Sequence, residues 1–177
     1  IGTFTVDLMT DLAGSNDANP GDGICATSSG DCTLRAAIEE SNAMSGENLI
    51  IFDPGIITVL VQTALPALSD TSGGTTIYGR EGYVYLQGSL TSAGTNGLTL
   101  NSNNNKIQGL DIVDFGGNGI VINGDSNTIG TDGDGISDAA EHNVIRENSQ
   151  NGILVNLGAD NNVIAGNRIG VDRTGLE

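Results

Sequence analysis

A sequence that restates itself at a fixed step folds as stacked copies of one unit, and residues 96–171 of this chain do so. Asn96-Gly97-Leu98-Thr99-Leu100 returns as Asn118-Gly119-Ile120-Val121-Ile122 and again as Asn151-Gly152-Ile153-Leu154-Val155. A second phrase interleaves with it: Asn105-Lys106-Ile107, Asn127-Thr128-Ile129 and Asn162-Val163-Ile164. The first step of both series is 22 residues. The apolar runs are short, rich in Ile and Val, and separated by Asn, Gly, Asp and Ser, which is strand-and-turn chemistry. A coil of about 22 residues holds three short strands and three corners, and stacking pairs each strand in parallel with its equivalent about 4.8 Å away. The expected fold is all-β: a right-handed parallel β-helix, a solenoid. Inward Asn residues at the corners are expected to bond to the Asn above and below, satisfying backbone that would otherwise be buried and unpaired.

The next step, Asn127 to Asn162, is 35 residues. Aligning Ile112 with Ile145 and Ile169 places eleven of the extra residues between Gly130 and Asn143 and two near Leu157-Gly158. Insertions in solenoids fall in loops on one side of the coil.

Composition agrees. Among 177 residues Gly is 27 and aromatics are 3%, too few large side chains for a globular core but enough for a solenoid one residue deep. The formal net charge is -16. Nucleic acid, which needs a basic face, is excluded as a partner, and a membrane surface is disfavoured for the same reason. Cations suit such a surface. No apolar run is long enough to span a membrane.

Before the repeats, Thr3-Phe4-Thr5-Val6-Asp7 alternates as a short strand. A polar loop follows, in which Asp17, Asn19 and Asp22 offer closely spaced oxygen ligands with Gly between them, a pattern suited to Ca²⁺ or to a plain Asx-turn loop. Cys25 and Cys32 are the only cysteines. A disulfide is expected between them, which places the chain in an oxidising compartment. A redox-active pair is the alternative, without the C-x-x-C spacing. Thr33 can cap a helix to about Ala43, with Leu34, Ala37 and Ile38 as its apolar stripe and Glu39 and Glu40 facing water. Residues 1–48 are thus expected to form an N-terminal cap of a strand, a disulfide loop and a helix covering the open end of the coils, and residues 49–177 the coils.

The run Cys32-Thr33-Leu34-Arg35-Ala36-Ala37-Ile38-Glu39-Glu40-Ser41-Asn42-Ala43 resembles the "CSLREAI"-type N-terminal domain of bacterial extracellular proteins with parallel β-helix repeats. The polar loop before it, Ile51-Phe52 and Leu65-Pro66 after it, and the Asn-Arg-Ile-Gly-x-Asp-x-x-Gly phrase at 167–175 extend the likeness over nearly the whole chain. Thr33 stands for the usual Ser and Ala36 for the usual Glu, so the capping box is incomplete. The resemblance implies a large secreted or cell-surface protein and no particular catalytic activity. The coil opened at Asn167 is unfinished at Glu177, so the chain is expected to be the front piece of a longer protein, truncated at its C-terminus. Further coils of that protein, end-to-end self-association through Ile164, Ile169 and Val171, and a cell-surface or polysaccharide ligand are the partners expected.

The eleven-residue insert is acidic. Against an EF-hand loop, Asp132, Asp134, Gly135, Asp138 and Glu141 fall at positions 3, 5, 6, 9 and 12, while position 1 is Gly130; flanking helices are not expected. This is a second candidate Ca²⁺ loop. Tyr78, Tyr83 and Tyr85 could stack on sugar or pack on a neighbouring loop. Candidate catalytic groups are Arg146 and Arg168, near Glu147 and Asp172, with Lys106 alone and His142 beside the insert. Arg168 aligns with Val144 and not with Arg146, so the basic groups share no stacked position. Without a Ser-His-Asp arrangement or a phosphate loop, the reading leans away from an enzyme. Two function classes stand: a structural or adhesive domain stabilised by calcium, and a carbohydrate-active or glycan-binding β-helix.

Overall fold

A computed structural model describes residues 2–80 and 84–176 of the chain. Strands β1 (Gly2–Val6) and β2 (Thr10–Asp11) precede helix α1 (Leu34–Ala43). Then come β3 (Asn48–Phe52) and β4 (Thr58–Val61), followed by β5 (Thr75–Tyr78), β6 (Val84–Gln87) and β7 (Leu98–Leu100). The next coil is β8 (Lys106–Gln108), β9 (Leu110–Val113) and β10 (Ile120–Ile122). After it come β11 (Thr128–Gly130), helix α2 (Asp138–Glu141), β12 (Val144–Arg146) and β13 (Ile153–Val155), and lastly β14 (Val163–Ala165) and β15 (Arg168–Ile169).

The strands form three sheets, and every pairing is parallel. The first sheet runs β1-β3-β5-β8-β11-β14, the second β2-β4-β6-β9-β12-β15, and the third β7-β10-β13. From β5 to β13 the chain visits the sheets in turn, one strand each per coil, so the structure is an all-β parallel solenoid. In the coil of β3 and β4, Leu68 bridges Leu100 where a strand of the third sheet would lie.

The register is the one read from the repeats. Ile107, Ile129 and Ile164 stack, as do Ile112, Ile145 and Ile169, and Leu98, Ile120 and Ile153. Leu98, Ile107, Ile112, Ile120, Ile129 and Ile145 join one continuous core with Ile50, Val59, Ile77 and Leu86, Ile153 packs against it, and Ile164 and Ile169 of the last coil are exposed. The glycine of the Asn-Gly-apolar phrase is required by this stacking: a Cβ on Gly97 would stand 2.4 Å from the carbonyl oxygen of Gly119, one coil on.

The Asn columns also form. Asn127 Oδ1 accepts from the backbone N–H and from Nδ2 of Asn105, at 2.8 and 2.9 Å. Asn162 Oδ1 in turn accepts from Asn127 N–H. At another corner the column runs in the opposite direction: Asn96 Oδ1 accepts from Asn118 N–H and Nδ2, and Asn118 Oδ1 from Asn151 N–H and Nδ2. The residues before the first column, Asn104, Ser126 and Asn161, all take left-handed backbone, with φ of 62, 58 and 59°. A third column, Asn143 and Asn167, lies at the entry to the second sheet, where Asn143 Oδ1 also accepts from Leu110 N–H.

Helix α1 packs on β1 and β3 and sends Leu34, Ala37 and Ile38 into the core. Thr33 caps it although the capping box is incomplete: its Oγ1 accepts from Ala36 N–H. The expectation that Glu40 faces water is wrong. The side chain is fully buried, because the loop before the helix folds back over its polar face, and the Glu40 carboxylate accepts from Gly21 and Gly23 N–H. Glu39 is half-buried and accepts from Asp17 N–H. Arg35, also buried, donates to Asp11 on β2 and to the Thr63 and Ala64 carbonyls, tying the helix to the second sheet. Burial raises the Asp11 pKa against the pull of Arg35.

Cys25 and Cys32 form a disulfide with Cα atoms 5.2 Å apart, as expected. Among the described residues no helix is long and apolar enough to cross a membrane.

Candidate functional site

The 131–142 insert leaves the solenoid after β11 and rejoins it at β12. Within the insert itself is a helical turn, α2, and this turn is what gathers its carboxylates. Residues three apart on a helix share a face, so Asp138 and Glu141 converge there. Asp132 completes the group: one oxygen from each of the three lies within 4.8 Å of the others, an arrangement that can hold a metal ion. The loop is docked rather than free. Gly109 N–H donates to the Glu141 carbonyl, and a Cβ on Gly109 would meet the Ala140 carbonyl oxygen at 3.0 Å. Glu141 is buried and accepts from Asp132 N–H. Asp134 stands apart and turns back to accept from Ile136 N–H. Beside the cluster Lys106 donates to Asp132 Oδ2 at 2.8 Å, so it does not stand alone. That bond raises the Lys106 pKa and lowers that of Asp132. His142 is bonded within its turn, its Nδ1 lying at the Ala139 carbonyl.

The first acidic loop uses its side chains differently. Asp17 accepts from Asn19 and Ala26 N–H, Asp22 accepts from Ile24 N–H, and Asn19 Nδ2 donates to Asp22. These bonds, with those to Glu39 and Glu40, fasten the loop to α1.

On the outer face of the second sheet lies a cleft of about 330 Å³ lined by Tyr85, Asp111, Arg146, Glu147, Asp172 and Arg173. Its floor is Asp111, fully buried although its side chain points outward between the inward Leu110 and Ile112. Arg146 Nε stands 3.3 Å from Asp111 Oδ1, and Arg173 Nε donates to Oδ2 at 3.3 Å. The Arg173 guanidinium lies over the Tyr85 ring, 4.4 Å from its centre. Burial raises the Asp111 pKa, and the two arginines act against it. Of the aromatic candidates, Tyr78 is on β5 in the first sheet and Tyr85 on β6 in the second, and Tyr83 lies outside the described residues. Arg168 pairs with Val144 in the ladder and donates instead to the Arg173 carbonyl.

Sequence reasoning named Arg146, Glu147, Asp172 and Tyr85 but missed Asp111 and Arg173. One signal was available for Asp111: a charged residue at the centre of an apolar strand, directly opposite Tyr85 in the stacked register. No family model, curated protein or solved structure matches the chain.

Proposed function

We propose that this chain is a structural, adhesive-type module of a secreted or cell-surface bacterial protein: a right-handed parallel β-helix stiffened by calcium at the 131–142 loop and related to the CSLREAI-type extracellular proteins. The observation that carries the reading is where the polar side chains go. Three Asn columns spend their amides on bonds that tie successive coils together. A rod of this kind lengthens by adding coils without needing a new core. The last coil supports this: β13, β14 and β15 each pair on one side only, and Val155, Val163, Ile164 and Ile169 are each more than 40% exposed. Such a face suits another coil of a parent protein or the end of a second copy. The disulfide agrees with an oxidising, extracytoplasmic setting. Asp132, Asp138 and Glu141 are hard oxygen ligands of the kind Ca²⁺ takes.

The carbohydrate-active reading rests on the cleft of the second sheet, which joins basic and aromatic side chains. It ranks second, because Arg173 already covers the Tyr85 ring and both guanidiniums are engaged by Asp111. Incubation with a panel of acidic and neutral polysaccharides, with and without Ca²⁺, separates the two. The structural reading expects no chain cleavage. Turnover that is lost in Arg146→Ala would overturn it in favour of a carbohydrate-active enzyme.

A further inference from the structure

Arg173 reaches a long way. It follows β15, yet its guanidinium contacts Asp111 on β9 and Tyr85 on β6, the third strand from β15 in the second sheet. Three strand spacings are about 14 Å. Residues 170–176 therefore run back over the outer face of the second sheet. The segment is braced for this: Asp172 Oδ1 accepts from Thr174 and Leu176 N–H, and Arg168 donates to the Arg173 carbonyl.

What the segment delivers is one guanidinium, and what receives it is built into the sheet. An aromatic face attracts a planar cation within about 6 Å, and a carboxylate shielded from water strengthens a charged hydrogen bond. Tyr85 supplies the face, and Asp111, with no exposed surface, supplies the carboxylate. Without the segment, the cleft groups of the sheet and its edge would be Asp111 and Glu147 against Arg146, two negative charges to one positive. The cleft is thus a cation site by charge and a guanidinium site by shape.

We propose that Tyr85 and Asp111 form a receptor for an arginine side chain, and that residues 170–176 are an internal competitor filling it with Arg173. Withdrawal of the segment opens the receptor to an arginine of another polypeptide. The proposal is independent of the metal loop and of the adhesive reading.

Ethylguanidinium is the probe, with ethylammonium as the control of equal charge and different shape. Arg173→Gln keeps most of the side-chain length and removes the charge. In this variant ethylguanidinium is expected to shift the Tyr85 ring resonances saturably and to raise the melting temperature. Ethylammonium is expected to bind at least tenfold more weakly, and the wild-type chain, whose receptor is filled, at least tenfold more weakly than Arg173→Gln. An argininamide-capped peptide should show the same ranking. Adding Asp111→Asn to Arg173→Gln should abolish the response. Equal shifts in wild type and variant would reveal a general salt effect and overturn the proposal, as would a folded Arg173→Gln that does not respond. If Arg173→Gln folds only with ethylguanidinium present, the receptor is confirmed; if it folds in neither condition, a guanidinium receptor is not what Arg173 serves.

Discussion

Asn105→Ala removes one rung of the buried column and leaves the fold no substitute. Asn105 Oδ1 accepts from Thr75 N–H at 2.9 Å, and Nδ2 donates to the Ser102 carbonyl and to Asn127 Oδ1, each at 2.9 Å. Thr75, Ser102 and Asn105 are all buried. After truncation the Thr75 N–H is an orphaned buried donor, costing about 1–3 kcal/mol, and the two lost amide donations add about 1 kcal/mol each. The sum is roughly 3–5 kcal/mol, a large part of a domain's stability. Asn123 is the control. It donates to Asn101 Oδ1 at 2.7 Å in a column with the same 22-residue step, but this column is exposed. Water replaces its bond, so Asn123→Ala should cost under about 0.5 kcal/mol. Urea unfolding monitored by circular dichroism measures both, the effect appearing as a lower midpoint at unchanged slope. Equal costs for the two variants, or a cost below about 1 kcal/mol for Asn105→Ala, would show that the columns do not satisfy the corners.

Three other outcomes are expected. Ca²⁺ should raise the melting temperature, since a ligand of the folded state stabilises by mass action; calorimetry without a heat of binding, together with a melting curve unchanged by chelator, would exclude calcium, and Glu141→Gln should weaken any response. Lys106→Met should lower stability at pH 7, and the gap from wild type should close at both extremes. The lowered Asp132 pKa gives a contribution present above the usual 3.8 and lost as pH falls through the folded value, and the raised Lys106 pKa gives one present below 10.5 and lost as pH rises through the folded value; a gap independent of pH would mean that the pair contributes nothing. Replacing both Cys25 and Cys32 by Ser should cost about 2.5 kcal/mol by the loop-closure relation, measured by the same urea titration, and an unchanged midpoint would show that the cap is held by its loop-to-helix bonds alone.

The coils were legible because one constraint repeats in each of them. Every Ile of the phrases points inward, so a one-residue slip would turn a whole row to solvent. That is why Ile112, Ile145 and Ile169 aligned across an eleven-residue insert. Thr33 was legible because a cap is a local device. Glu40 was not. Helical periodicity separates an apolar from a polar face, but not a polar face in water from one against backbone donors of a distant loop. The insert's carboxylates could be named from their spacing, but the helical turn that unites Asp138 with Glu141 could not, since the loop carries no apolar period. Asp111 and Tyr85 stack directly, but Arg146 reaches Asp111 from an offset position one coil on and Arg173 by a chain reversal after β15, which stacking of repeats does not describe.

The parallel stack carries the whole account, and the backbone NOE pattern of the third sheet tests it most directly. Parallel stacking predicts that Leu98 pairs with Ile120 and Leu100 with Ile122, and that Ile120 and Ile122 pair in the same sense with Ile153 and Val155. Cross-strand contacts running in the opposite sense, Leu98 to Ile122 and Leu100 to Ile120, would contradict the solenoid and with it the Asn columns, the extensible end and the site on the second sheet.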